Sequence, residues 1–598
     1  MLSACATPPT PAPVTALPAA SPTPHCPAAN PTCPATQLSL AVPTAGAKAF
    51  GRVELGLLTD GRWANPFDPD QVDLQVRFTG PDGQSVQVPA FWYQDFDPAT
   101  LAPQGRGGWR ARFTPTQAGA WQAQALLTAS RGSLSSAPVT IAVAADPSAK
   151  GFVQINPANT HYFGFADGST FMPIGLNLAW GDSLTQTVPE YTRWLGSLSQ
   201  NGGNLARVWM ASWNMGIEWK DTGLGDYRKR QEQAWLLDQV FNLAEQDHVY
   251  ILLSLLNHGA FSTSVNPEWN DNPYNTANGG LLTSPGAFVT DPAARAMFQQ
   301  RVRYIAARWG YSTHLFAWEW WNEVNFTGIP DETLQPWLVD MTHYLRGFDP
   351  YGHLVTTSFS EGRRDPLWKA PEVSFMQQHD YSNNDPAVEF ADALGAFRRI
   401  SKDKPLLMGE HGLNAIGEPA NVNAVAASVH FHNGLWAAPF TGWAGSALAW
   451  NWNDFVDPNG LWPQYGALAT FFGGEDLAPL KAATAGVSDK TAIALSLQSA
   501  SHALVWVRSQ QFEASRTVLA YEKAKGTGPA LPDWTFAPPT LSGLTITVSG
   551  LTDGSYTARW FDPQTGQWLT HTSVPSAGGK LALTAPDFSR DLALQIRQ

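Results

Sequence analysis

Cysteine is almost missing from this chain. Cys5, Cys26 and Cys33 are its 3 cysteines, and they all precede the folded body, so thiol catalysis, iron–sulfur clusters and cysteine zinc sites are excluded beyond them. Charge is also sparse, at 15% Asp, Glu, Lys and Arg, with 50 acidic against 37 basic residues. The clustered Lys and Arg that a phosphate backbone requires are absent, so nucleic acid is not an expected partner. No apolar run approaches the ~20 residues that span a bilayer. A Gly-x-Ser-x-Gly elbow is missing, and Gly442-Trp443-Ala444-Gly445-Ser446 has the wrong spacing for one. No His-Glu-x-x-His pair occurs. His258, His379 and His411 lie on separate segments and are read as hydrogen-bonding groups, with neither metal nor cofactor expected.

What remains is a large, acidic, globular chain of 598 residues and net charge −13, 44% hydrophobic, with 26 Trp, 51 Gly and 46 Pro. Its length implies several domains. Tryptophan faces are a common grip for sugar rings, although Gly and Pro in these numbers equally suit a β-rich protein with many turns. Leu2-Ser3-Ala4-Cys5 has the form of a lipobox, without the basic and apolar stretches that should precede it. Cys5 is then the lipidated residue, and residues 1–45 a signal remnant and Pro-rich spacer holding the body off a membrane surface. That places the protein outside the cytoplasm, secreted or as a cell-surface lipoprotein. The alternative is a plain disordered tail in which Cys26 and Cys33 close a small loop.

Three folded parts follow. Over 46–146 the period is two: Val72, Leu74, Val76 and Phe78 alternate with polar neighbours, and Gly80-Pro81-Asp82-Gly83 turns into Val86 and Val88. With strands near Trp109–Phe113 and Trp121–Leu127, this predicts a β-sandwich. Over 150–480 short apolar strands alternate with helices. Asp291 as N-cap, Pro292 as first helical residue and Gly310 as stop predict a helix over 292–309, burying Phe298, Val302, Ile305 and Trp309. Strands near 171–177, 203–209, 249–256, 316–322, 353–358, 373–379, 405–409 and 445–451 predict a closed (β/α)8 TIM barrel with its active site at the strands' C-terminal ends. Over 485–598 alternation returns, with Asp562-Pro563-Gln564-Thr565-Gly566 turning between two strands, and predicts a second β-sandwich. The fold class is therefore multidomain, an α/β barrel between two β-sandwiches.

The barrel's strand ends carry Asn177, Arg207, His258, Asn322, Glu323, His379, Tyr381, Glu410, Trp450 and Trp452. Glu323 ends the fourth strand and Glu410 the seventh, so two carboxyls from distant segments should meet across the barrel mouth. Retaining glycosidases need such a pair at ~5–5.5 Å. Asp380, Glu361 and Asp454 are rival carboxyls near the mouth, but alternation aims Asp380 away from the face that His379 and Tyr381 share.

In these residues the span 150–480 resembles the clan A glycoside hydrolases, most closely family 5, which includes endo-β-mannanases and cellulases. The resemblance implies Glu323 as acid/base and Glu410 as nucleophile of a retaining β-glycosidase, acting on a β-linked mannan- or glucan-like carbohydrate. It implies substrate-binding roles for Asn177, Arg207, His258, Asn322, His379, Tyr381 and a strand-eight tryptophan, Trp450 or Trp452. His258-Gly259 and Asn272-Pro273-Tyr274 look like one branch of these enzymes. The front sandwich, through Trp63-Ala64-Asn65-Pro66-Phe67 and Pro89-Ala90-Phe91-Trp92, is similar to a domain of unknown function found ahead of such barrels. The tail, through Trp560-Phe561-Asp562-Pro563 and Ala585-Pro586-Asp587-Phe588, resembles a module named for collagen binding.

The chemistry expects opposite protonation states: Glu410 ionised by Arg207 and a Tyr381 hydrogen bond, and Glu323 protonated by desolvation and the neighbouring charge of Glu410. Asn322 is expected on the sugar 2-hydroxyl and Trp450 under the sugar ring. For Arg207 a second role is pairing with Glu319 inside the barrel. The rival function is a non-catalytic glycan- or matrix-binding protein on an inactive barrel.

Overall fold

The computed structural model describes residues 32–42, 46–129, 132–360, 364–413, 421–529, 531 and 534–598. Cys5, Cys26 and Glu361 lie outside them. Cys33 is disulfide-bonded.

The expected hairpin forms, with Val72–Thr79 antiparallel to Ser85–Pro89 and Val76 opposite Val88. It belongs to one of two stacked sheets whose inward residues, Leu74, Val76, Phe78, Ala123 and Ala125 among them, are buried as period-two alternation requires. Residues Leu38–Ala41, expected in the spacer, form a strand paired with Val53–Thr59. The sandwich thus begins earlier than the composition shift near residue 46.

The barrel strands are β1 (Gly175–Asn177), β2 (Leu205–Trp209), β3 (Tyr250–Ser254), β4 (Leu315–Glu319), β5 (Leu354–Thr356), β6 (Met376–Asp380) and β7 (Leu406–His411). β1 to β5 pair in sequence order, all parallel, and β6 pairs parallel with β7. The backbone amide of Ser374 donates to Val355 at 2.7 Å and joins β5 to β6. The eighth strand expected at 445–451 is reduced to a single position, Ala449, bridging Leu176 on one side and His411 on the other. The ring nonetheless closes there, because Asn177 N donates to Ala449 O and His411 N to Leu448 O, both at 2.9 Å. Phe171, expected to open the first strand, belongs instead with Thr170 to a small antiparallel sheet with 153–155 and 163–165.

Helices α1 (Leu184–Gln200), α2 (Gln231–Gln246), α3 (Pro292–Trp309), α4 (Asp331–Arg346), α5 (Asp365–Lys369), α6 (Pro386–Arg398), α7 (Asn421–Thr441) and α8 (Pro463–Phe472) each follow one strand position. α3 has the bounds its caps predict, with the Asp291 carboxylate accepting from the amides of Ala293 and Ala294. Among the described residues no helix is long and apolar enough to cross a membrane.

The tail forms a large and a small antiparallel sheet, with the predicted turn joining Gly554–Asp562 to Gln567–Ser576. Its first strand is Lys481–Thr484, just before the expected boundary. An unexpected helix, Ala514–Lys525, packs on α7.

The N-terminal sandwich is locked to the barrel by buried charge. Asp238 on α2 accepts from Arg112 Nη1 at 2.7 Å and Arg308 Nη2 at 2.6 Å, and Arg112 also donates to Glu54 at 2.7 Å. Burial alone would raise the Asp238 carboxyl, but Arg112 and Arg308 outweigh it and bring it down to about 2. A carboxyl lowered on folding stabilises above its unfolded pKa near 4 and loses that contribution as pH falls through about 2. Asp238→Ala leaves two buried guanidinium groups without it and is expected to cost roughly 3–5 kcal/mol in urea unfolding at pH 7. The deficit should shrink as the pH is lowered toward 2.

Candidate active site

Arg207 is the hub of the barrel mouth. It is fully buried, and each of its five N–H bonds has an acceptor: Nε and Nη2 fork onto Glu319 at 2.7 and 2.8 Å, Nη1 reaches Glu410 Oε1 at 2.7 Å and Asn177 Oδ1 at 2.9 Å, and Nη2 reaches Asn322 Oδ1 at 2.7 Å. The pairing with Glu319 weighed for this arginine is present, and the same guanidinium also holds Glu410.

Glu410 is fixed by a bulge. β6 and β7 pair Gln378 with Met408 and then His379 with Glu410, so Gly409 is an extra residue. The slip brings His379 and Glu410 level, on one face. Only glycine fits, because a Cβ at 409 would stand 2.1 Å from Gln377 Oε1 and 2.6 Å from its Cγ. Beyond β4, Glu323 has a left-handed backbone with φ 47° and its amide bound to Ser358 Oγ at 3.0 Å. Such a conformation is uncommon for a residue with a side chain and concentrates at functional positions.

These constraints bring the two carboxyls together. His379 Nδ1 lies 2.9 Å from Glu323 Oε1 and 3.3 Å from Glu410 Oε2. An oxygen of each carboxyl and the imidazole nitrogen are all within 4.8 Å of one another. Tyr381 Oη donates to Glu410 Oε2 at 2.5 Å. Separate segments, taken as an argument against a metal, are therefore no barrier to convergence: Glu323, His379 and Glu410 have the mutual spacing of a ligand set.

The titration pattern is partly as expected. Burial raises Glu323 to about 7, opposed by Arg207 and reinforced by Glu319, whereas the expected neighbouring charge was that of Glu410. Burial also raises Glu410, with His379, Arg207 and the Tyr381 hydrogen bond opposing and Glu323 reinforcing, so the two expected partners act in the expected direction against a larger effect of burial. What separates the pair is donors. Glu410 accepts directly from a guanidinium and a phenol, whereas among the described residues the only side-chain hydrogen bond seen at the Glu323 carboxyl is shared with His379 Nδ1, a ring that burial brings down to about 4 and keeps neutral. These donors favour the charged form at Glu410 over the charged form at Glu323.

A cleft of about 240 Å³ opens over both glutamates, walled by Trp180, Trp209, Trp213 and Trp450 and by His258, Asn266, Glu268 and Tyr381. Hollows of about 290 Å³ in the front sandwich and about 330 Å³ at the C-terminal sheet are as large, but no carboxyl lines either. His258 Nδ1 stands 3.5 Å from Glu323 Oε2.

Several predicted contacts fall behind the cleft. Asn177 and Asn322 are wholly buried around Arg207, with Asn177 Nδ2 donating to Gly409 O at 3.0 Å and Asn322 Nδ2 facing His258 Nδ1 at 3.1 Å. They and Arg207 hold the carboxyls from behind and do not line the cleft. Trp452 is buried within a single π-helical turn, Trp452–Val456, which leaves Trp450 as the strand-eight tryptophan that lines the cleft. Strand alternation had equated the two, but no strand extends that far. Asp380 points away from the pair, toward His411 at 3.7 Å, and Asp454 is exposed beside Asn451. Trp209 ends β2 and was visible by the strand-end rule, whereas Trp213, Asn266 and Glu268 lie on loops without a sequence signal.

A domain of unknown function, DUF5060, matches residues 46–126. The mannan endo-1,4-β-mannosidase A of Hypocrea jecorina is 26% identical over 247 residues, 39% of this chain and 52% of that protein. This chain's similarities are thus a DUF5060 match in the front sandwich and a partial likeness to curated mannan endo-1,4-β-mannosidases. A second mannan endo-1,4-β-mannosidase A, from Aspergillus aculeatus, is 25% identical to this chain over 236 residues, 38% of the chain and 59% of the relative. The chain thus spans about half the length of the curated relatives it matches. A Bacteroides vulgatus structure described as a candidate glycoside hydrolase aligns over 93% of this chain and 100% of its own, at 15% identity and a TM-score of 0.57. That likeness establishes the fold.

Proposed function

We propose that the protein is a retaining β-glycoside hydrolase acting on a β-linked mannan- or glucan-like chain, with Glu410 as nucleophile and Glu323 as acid/base. The observation that carries the reading is the convergence of the two carboxyls, with oxygens within 4.8 Å, under a tryptophan-walled cleft. That closeness is nearer the ~5–5.5 Å carboxyl separation of retaining enzymes than the ~6.5–9.5 Å of inverting ones.

In the first step the Glu410 carboxylate attacks the anomeric carbon while Glu323 gives its proton to the departing glycosidic oxygen, so one C–O bond forms as another breaks. In the second, Glu323, now ionised, takes a proton from water, whose oxygen displaces Glu410 and frees the sugar. Arg207 and Tyr381 stabilise the carboxylate before attack and again as it departs. Trp450 offers a ring face to the sugar. An extracytoplasmic setting with a lipid at Cys5 belongs to the same proposal on the sequence pattern alone.

Activity on a panel of β-mannans and β-glucans tests the reading. Glu323→Gln is expected to lower kcat/KM about 10²–10⁴-fold, with the smallest loss on aryl glycosides whose leaving groups need no proton. An equal loss on both substrate types would remove Glu323 from the acid role. Because the proton donor must be charged with its proton, wild-type kcat/KM should decline as pH rises through about 7, and the Gln variant should lack that limb.

A further inference from the structure

The register that sets His379, Tyr381 and Glu410 on the side of the two carboxyls turns their neighbours outward. Asp380 and His411, on the far faces of β6 and β7, meet His430 of α7. One donor atom from each lies within 4.8 Å of the other two, and Asp380 Oδ2 is 3.7 Å from His411 Nδ1. All three residues are buried, at 8%, 3% and 1% exposure.

Their hydrogen bonding is incomplete. His411 Nε2 faces the backbone carbonyl of His430 at 3.5 Å, which leaves Nδ1 as the lone-pair nitrogen, and that atom has no hydrogen-bond partner. Both ring nitrogens of His430 are likewise buried and unpartnered. Buried polar atoms without partners call for an explanation. A cavity with about 10 Å³ of free space touches both histidines, room for about one water-sized body.

We propose that Asp380, His411 and His430 bind a divalent transition-metal ion of the zinc class. Two imidazoles and one carboxylate are a zinc-type donor set, and donors around a tetrahedral zinc lie roughly 3.3 Å apart, slightly closer than the 3.7 Å between Asp380 Oδ2 and His411 Nδ1. The Nε2–carbonyl contact is the outer-shell partner that metal-bound histidines usually have. The ion takes no part in the proposed hydrolysis. It ties the outer faces of β6 and β7 to α7, and so steadies the register in which His379 stands level with Glu410.

The full-length protein, stripped with chelator and dialysed, would be titrated with zinc chloride by calorimetry, and with cobalt(II) to read d–d absorption. Wild type is expected to bind one ion with histidine-type tetrahedral bands and to melt at higher temperature with zinc than without. His430→Phe keeps the ring stacked on His411 and should weaken binding at least 100-fold. Asp380→Asn provides the same test if that variant does not fold. Equal uptake by wild type and both variants would overturn the site. So would uptake lost only in Glu323→Gln, which would place the ion at the cleft carboxyls.

Discussion

Glu410→Gln is expected to reduce turnover of a β-linked oligosaccharide on the order of 10⁶-fold, the scale of removing the nucleophile of a hydrolase that works as a unit. The amide has the shape of the carboxylate but cannot attack the anomeric carbon. It can still accept from Arg207 and Tyr381, whose bonds to Glu410 are 2.7 and 2.5 Å, and Arg207 keeps its fork onto Glu319. The fold should therefore survive, with substrate affinity near that of wild type by calorimetry. Turnover within about tenfold of wild type would exclude Glu410 as nucleophile.

The second large effect is expected at Arg207. Its replacement by methionine removes all five donors at once and leaves Glu319 and Glu410 buried without their common cation. Breaking such a buried network costs roughly 3–5 kcal/mol in unfolding free energy. Glu410, already raised by burial, should rise further, so the pH at which kcat reaches half its maximum on the acidic limb should shift upward. Adding Glu319→Gln to Arg207→Met removes the stranded charge beneath the site and should restore part of the stability. It should leave the acidic limb displaced, because Glu410 still lacks its cation. A double variant with a wild-type pH profile would show that Arg207 acts on the fold alone.

Much of this site was legible because strand-end chemistry survives errors in the strands themselves. Glu323 follows β4 and Glu410 lies near the end of β7, strand-end positions that the apolar runs before them mark, and Trp318-Glu319-Trp320-Trp321-Asn322-Glu323 leads directly into the site. α3 was legible to its ends because Asp291, Pro292 and Gly310 act locally. What could not be read depends on register and depth. The bulge at Gly409 is invisible as a letter, since nothing local says that Gln377 occupies the space a Cβ would need. Asn177 and Asn322 share their type and position with ligand-binding residues, and only burial around Arg207 shows that they face inward. Trp452 was equated with Trp450 because a strand was assumed where the backbone turns into a π-helical bend. The cluster behind β6 and β7 was missed because its third member, His430, comes from a helix whose approach no pattern in the sequence specifies.

The configuration of the first-formed sugar tests the central claim most directly. Proton NMR on a β-manno-oligosaccharide, or on whichever β-glycoside of the panel is turned over, would follow the anomeric signals from the first minutes. Two carboxyls with oxygens within 4.8 Å predict that the β-anomer appears first and only later mutarotates to the α form. If the α-anomer accumulates first, a water attacks the sugar directly, and the double displacement through Glu410 is wrong.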